Sequence, residues 1–95
     1  MIETLLLITK IGNPGYFPPA EFDYTFRGEV VLFMTDEETT RKYCPDYGVA
    51  CVPPGQEPGK CVIIFNAEYA YDFSDIMRHE MGHCNGWPRN HPGAR

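Results

Sequence analysis

Residues 72–91 read Asp72-Phe73-Ser74-Asp75-Ile76-Met77-Arg78-His79-Glu80-Met81-Gly82-His83-Cys84-Asn85-Gly86-Trp87-Pro88-Arg89-Asn90-His91, and this stretch decides the fold. From Asp72 or Ser74 to Asn85 it reads as a helix. Phe73, Ile76, Met77, Met81 and Cys84 recur at three- and four-residue spacing, the stripe of a helix with one face on a core. Gly86 stands where helices take a left-handed residue past their C-terminus, and Pro88 disfavours helical backbone at Trp87. His79 and His83 are one turn apart, so they share a face at the border between the core stripe and solvent. Glu80 lies roughly 80° around the helix from the midpoint of that pair. It borders the same cleft without being forced onto whatever the two histidines hold. Cys84 turns towards the core and reads as a packing thiol rather than a ligand, with a disulfide as the alternative.

Working back along the chain, residues 49–52 (VACV) and 60–65 (KCVIIF) flank a loop with three prolines and two glycines. They read as a β-hairpin that brings Cys51 and Cys61 together at the base of the loop. If a cysteine pair is bridged, this is the expected one; two buried thiols are the alternative. Residues 29–35 (EVVLFMT) read as a buried strand, 22–27 (FDYTFR) as a half-exposed one, and 2–11 (IETLLLITKI) as the first strand. Between 35 and 44, Thr35 or Asp36 begins a helical signal, Thr35 having capping-box spacing to Glu38, and the polar run after it predicts a surface helix of at most two turns. The expected fold class is α+β. A small mixed or antiparallel sheet packs on one C-terminal helix, with a short surface helix beside it, in a single domain over residues 1–95.

Composition agrees and narrows the function classes. With 95 residues, nine glycines and nine prolines, the chain holds one small, loop-rich core. The net charge of −5 works against nucleic acid, because phosphate binding needs clustered Lys and Arg. The apolar run Leu5-Leu6-Leu7-Ile8 is too short to span a membrane. It also lacks the basic flank of an export signal, so a cytoplasmic location is expected. No two of the four cysteines have C-x-x-C spacing.

The chemistry concentrates in the three histidines, which all fall within residues 79–91. Two histidines at i and i+4 followed by a glutamate-bordered cleft suit a metal, and a catalytic zinc commonly takes three protein ligands and leaves a fourth position open. His91 is the natural third ligand, since Gly86 can turn the chain back and Pro88 stiffens the return. Glu80 suits the general base that takes the proton of an attacking water.

The segment His79–Gly86 resembles the H-E-x-x-H-x-x-G pattern of metzincins, within the zincin metallopeptidases. The third histidine falls five residues after the glycine here, against three in that family, and no room is left for a Met-turn. The pattern is also similar to minimal zincin-like proteins of phage or mobile elements. The resemblance implies a minimal zincin-like domain with one Zn²⁺ per chain on His79, His83 and His91. It implies a zinc metallopeptidase with Glu80 as general base, acting on a peptide or protein substrate, with no nucleic-acid or membrane partner. The alternative is a catalytically silent zinc module that binds a protein partner. The resemblance further implies that Cys61–Asn66 is the edge strand receiving substrate, although its apolar run equally suits a buried central strand. Tyr69 and Tyr71 could offer a hydroxyl to a developing oxyanion or simply pack. Asp72 and Asp75 could support a ligand histidine, or cap and charge the helix start.

Overall fold

The computed structural model describes residues 16–45 and 48–95, so the strand expected over 2–11 lies outside the described residues. The described chain is α+β. Strand β1 (Glu29–Thr35) is followed by helix α1 (Glu37–Tyr43), strand β2 (Ala50–Cys51), strand β3 (Lys60–Asn66) and helix α2 (Phe73–Cys84). Short 3-10 segments, Ala20–Phe22 and Ala67–Asp72, precede β1 and α2. The sheet order is β1-β3-β2, with β1 parallel and β2 antiparallel to β3. No helix among the described residues is long and apolar enough to cross a membrane.

The run Cys61–Asn66 is therefore the central strand and not the edge. Cys61, Ile63, Ile64 and Phe65 are all buried, as expected of a strand covered on both faces. Asn66, at its end, is fully buried and fully occupied. Its Nδ2 donates to the Gly48 carbonyl and its Oδ1 accepts from the Glu68 amide, while its own amide donates to Val49. Strand β1 forms over the residues expected but is not well buried. Leu32, Phe33 and Met34 are 37%, 46% and 41% exposed. Its one partner among the described residues is β3, and β-branched composition reports strand propensity, not rank within a sheet.

Residues 22–27 do not form the expected strand. Their polar groups go elsewhere: the Phe22 and Tyr24 carbonyls accept from Asn85 Nδ2, and the Asp23 carboxylate takes Arg78 and Arg95. Helix α1 has the expected length, and of the two expected starts it is Asp36 that caps it, accepting from the Thr39 amide.

The cysteine pairing also differs from expectation. β2 and β3 do pair, but Cys51 lies opposite Ile64. Cys61 is three residues further along, roughly 10 Å away, and an odd offset puts it on the other face of the sheet. Cys51 instead bridges Cys44 at the end of α1, and Cys61 bridges Cys84 at the end of α2, with Cα separations of 5.5 and 5.7 Å. Cys84 thus faces the core as expected but is a disulfide partner, not a thiol.

Helix α2 ends in a Schellman arrangement. Gly86 has φ 105°; its amide donates to His83, and the Trp87 amide donates to Gly82. Trp87 is thereby folded back under the helix, 2% exposed. The helix face opposite the Cys84 bridge is equally close-packed. A Cβ on Gly82 would come within 2.8 Å of the Pro18 side chain and 3.0 Å of Trp87.

Candidate metal centre

Helix α2 places His79 and His83 on adjacent turns, and the return after Gly86 brings His91 beside them. The separation is 3.3 Å from His83 Nε2 to His79 Nε2 and 3.2 Å from His83 Nε2 to His91 Nε2. Each histidine offers one ligand atom, and these lie within 4.8 Å of one another. A tetrahedral ion with bonds of about 2.0–2.1 Å separates its ligand atoms by about 3.3 Å.

The ring orientations are fixed from behind. His79 Nδ1 lies 2.6 Å from the Tyr16 carbonyl and His83 Nδ1 lies 2.8 Å from the Trp87 carbonyl. A carbonyl can only accept, so each Nδ1 carries the proton and each Nε2 is left with a lone pair. His79 and His83 therefore present lone pairs to each other across 3.3 Å with no proton between them. Two facing lone pairs repel, and a cation between them would relieve that contact. Backbone anchoring of the distal nitrogen is also the usual support of a ligand histidine. His91 sits in a turn closed by its amide to the Pro88 carbonyl, with φ 61°, an uncommon value for a residue with a side chain. That conformation aims its ring back at the helix. The three donors lie close enough together to hold a metal ion.

The electrostatics favour neutral imidazoles. Burial pushes His79 down to about 4, assisted by the nearby His83 and His91 and opposed by the Tyr16 contact. His83 is lowered by burial and by the charges of His91 and Arg89, and His91 by burial.

Glu80 points inward further than helical geometry alone implied. It is 5% exposed, and its Oε1 has no hydrogen-bond partner. Burial raises its pKa to about 8. It lines the same cavity as the three histidines, a cleft of about 710 Å³ bounded opposite α2 by Val49–Val52.

Sequence reasoning passed over Tyr16 and Trp87. Tyr16 supplies the His79 acceptor and its ring lies 5.6 Å from that imidazole. Its hydroxyl bonds to Asp72, and burial pushes its pKa well up. Asp72 occupies the position before α2 but makes no side-chain cap, so its carboxylate supports Tyr16 instead. Trp87 stacks on His83 at 4.9 Å, and its indole donates to the Pro92 carbonyl. A large aromatic directly after a helix-ending glycine was the available signal. Tyr69 and Tyr71 do not line the cavity; they pack near each other, and Tyr71 is 83% exposed. Comparison with protein-family models, with curated proteins and with solved structures finds no match.

Proposed function

We propose that the chain is a zinc metallopeptidase of minimal zincin-like form, with Zn²⁺ on His79, His83 and His91 and Glu80 as general base. The observation that carries the reading is Glu80: a buried carboxylate oxygen without a partner beside three converging imidazoles. An unpaired buried carboxylate lowers stability, and a metal site that only braces the fold has no use for it. The three histidines leave the cavity side open, which suits a catalytic rather than a closed structural site.

When bound, zinc supplies the Lewis acidity that polarises a scissile carbonyl and acidifies water. The residues do the rest. The Tyr16 and Trp87 carbonyls hold the imidazoles in the ligating tautomer. Glu80, shielded from solvent, is placed to take a proton from the attacking water and return it to the leaving amine. Among the described residues, strand β2 offers the sheet edge beside the site, since Val49–Val52 line the cavity and β2 pairs there with β3 alone. An extended peptide can add there through its main chain; this role passes from Cys61–Asn66 to β2. The acidic chain suits a peptide substrate over nucleic acid.

Disulfides persist in oxidising compartments, so the two bridges weigh against the expected cytoplasmic location. Thiol titration of protein taken directly from its native host decides between them.

The test is Glu80→Gln beside wild type, with metal content by elemental mass spectrometry and His91→Ala as the metal control. The expected result is about one zinc per chain in wild type and Glu80→Gln, weakened binding in His91→Ala, and peptide hydrolysis at least 100-fold slower without the carboxylate. Hydrolysis persisting in Glu80→Gln refutes the mechanism. Zinc without hydrolysis in wild type leaves the silent zinc module.

A further inference from the structure

The cavity carries a specificity signal beyond the three imidazoles and Glu80. Among the described residues, one other charged side chain lines it, Arg89. The remaining arginines are all engaged. Arg27 lies over the Tyr24 ring, Arg41 pairs with Glu37, and Arg78 and Arg95 share Asp23. Arg89 makes no ion pair, hydrogen bond or ring contact with the described residues. Its main chain is nevertheless fixed, because it follows Pro88 in the turn closed by the His91 amide, with the ligand His91 two residues away. The guanidinium is thus tethered at the rim of the candidate metal centre and uncommitted among the described residues.

Its surroundings make the sign meaningful. The chain is acidic, with 13 Asp and Glu against 8 Lys and Arg, yet no exposed carboxylate among the described residues lines this cavity. Much of the cavity wall is apolar, including Val49, Ala50, Val52, Pro54 and Ile76. A guanidinium on an apolar rim is a fork for a carboxylate, with two parallel donors that an ammonium cannot match.

We propose that Arg89 selects peptides carrying a carboxylate next to the bond to be cut, supplied either by a free C-terminus or by an Asp or Glu side chain. This rests on the peptidase reading, so its test reads binding and not turnover. The probes are dipeptide hydroxamates, which anchor on zinc and are not cleaved. One pair ends in a free carboxylate or a carboxamide; the other carries Glu or Gln beside the hydroxamate. Calorimetry on zinc-loaded wild type should show the acid of at least one pair binding roughly tenfold tighter than its amide, the scale of a charge-assisted contact. The pair that discriminates identifies the source of the carboxylate. Arg89→Ala should abolish the difference while leaving the amide's affinity, the zinc content and the melting temperature unchanged, and Arg89→Glu should reverse it. Equal affinities within both pairs, or a preference that survives Arg89→Ala, overturn the proposal. If the preference is found and wild type hydrolyses no peptide, the peptidase reading fails while the carboxylate site stands.

Discussion

Glu80 and His79 titrate in opposite senses, and that gives the metal-free protein a distinctive pH dependence. The folded value of Glu80 is raised to about 8 from 4.5. Between those values the unfolded state sheds a proton the native state keeps, so rising pH removes stability. His79 is lowered to about 4 from 6.5. Between those values the unfolded state binds a proton the native state refuses, so falling pH removes stability. Denaturation midpoints in chelator should therefore peak in mild acid and decline towards pH 8. In Glu80→Gln the alkaline decline should disappear, making that variant more stable than wild type at pH 8 by on the order of 2–4 kcal/mol. An identical alkaline decline in both proteins would count against a buried, protonated Glu80. At this scale much was legible. His79, His83 and Glu80 follow from helical period, and His91 from the short tether after Gly86. The Tyr16 carbonyl was not, because a main-chain acceptor 63 residues from its donor leaves no trace in side-chain pattern. Arg89 was overlooked because its value lies in having no partner among the described residues, which only the fold reveals.

At the scale of elements, α2 was read almost to its last residue, since stripe and stop signal agree, although Asp72 makes no side-chain cap. The register of β2 on β3 was not legible. The loop between them has no turn signature of fixed length, and a shift of three residues moved Cys51 away from Cys61. Strand composition likewise could not tell β1 from a central strand. Gly82 supplies the sharpest prediction here. A mid-helix glycine replaced by alanine ordinarily gains about 0.5–1 kcal/mol. At this position the new methyl meets Pro18 at 2.8 Å and Trp87 at 3.0 Å, and overpacking costs about 1–3 kcal/mol. Gly82→Ala should thus lower the melting temperature. It should also weaken zinc binding, because displaced Trp87 no longer holds its carbonyl on His83. A higher melting temperature would show the Pro18 contact to be soft.

Across the whole molecule, the two bridges divide the work of holding a small core. Cys44–Cys51 spans 7 residues and fixes the cavity wall; Cys61–Cys84 spans 23 and fastens the end of the metal-binding helix to the central strand. Loop-closure entropy makes the longer one the stronger, at about 3 kcal/mol. Replacing Cys61 and Cys84 together by alanine should lose that stability and reduce zinc affinity, while replacing Cys44 and Cys51 should lose less; chemical denaturation and metal titration check the order. The distant support of His79 has a consequence in time as well. His83 finds its carbonyl partner four residues on, and the turn that carries His91 closes on Pro88, whereas His79 waits for a segment from the far side of the chain. That segment is clasped by paired main-chain bonds between Phe17 and Arg95 and by the Arg95 side chain on Pro18 and Asp23. Refolding in the presence of a zinc indicator should accordingly run in two phases: quick capture by two rings, then slower tightening when the third is locked. Arg95→Ala should retard the second phase alone. The ion would then act as a latch that registers when the two ends of the described chain have met.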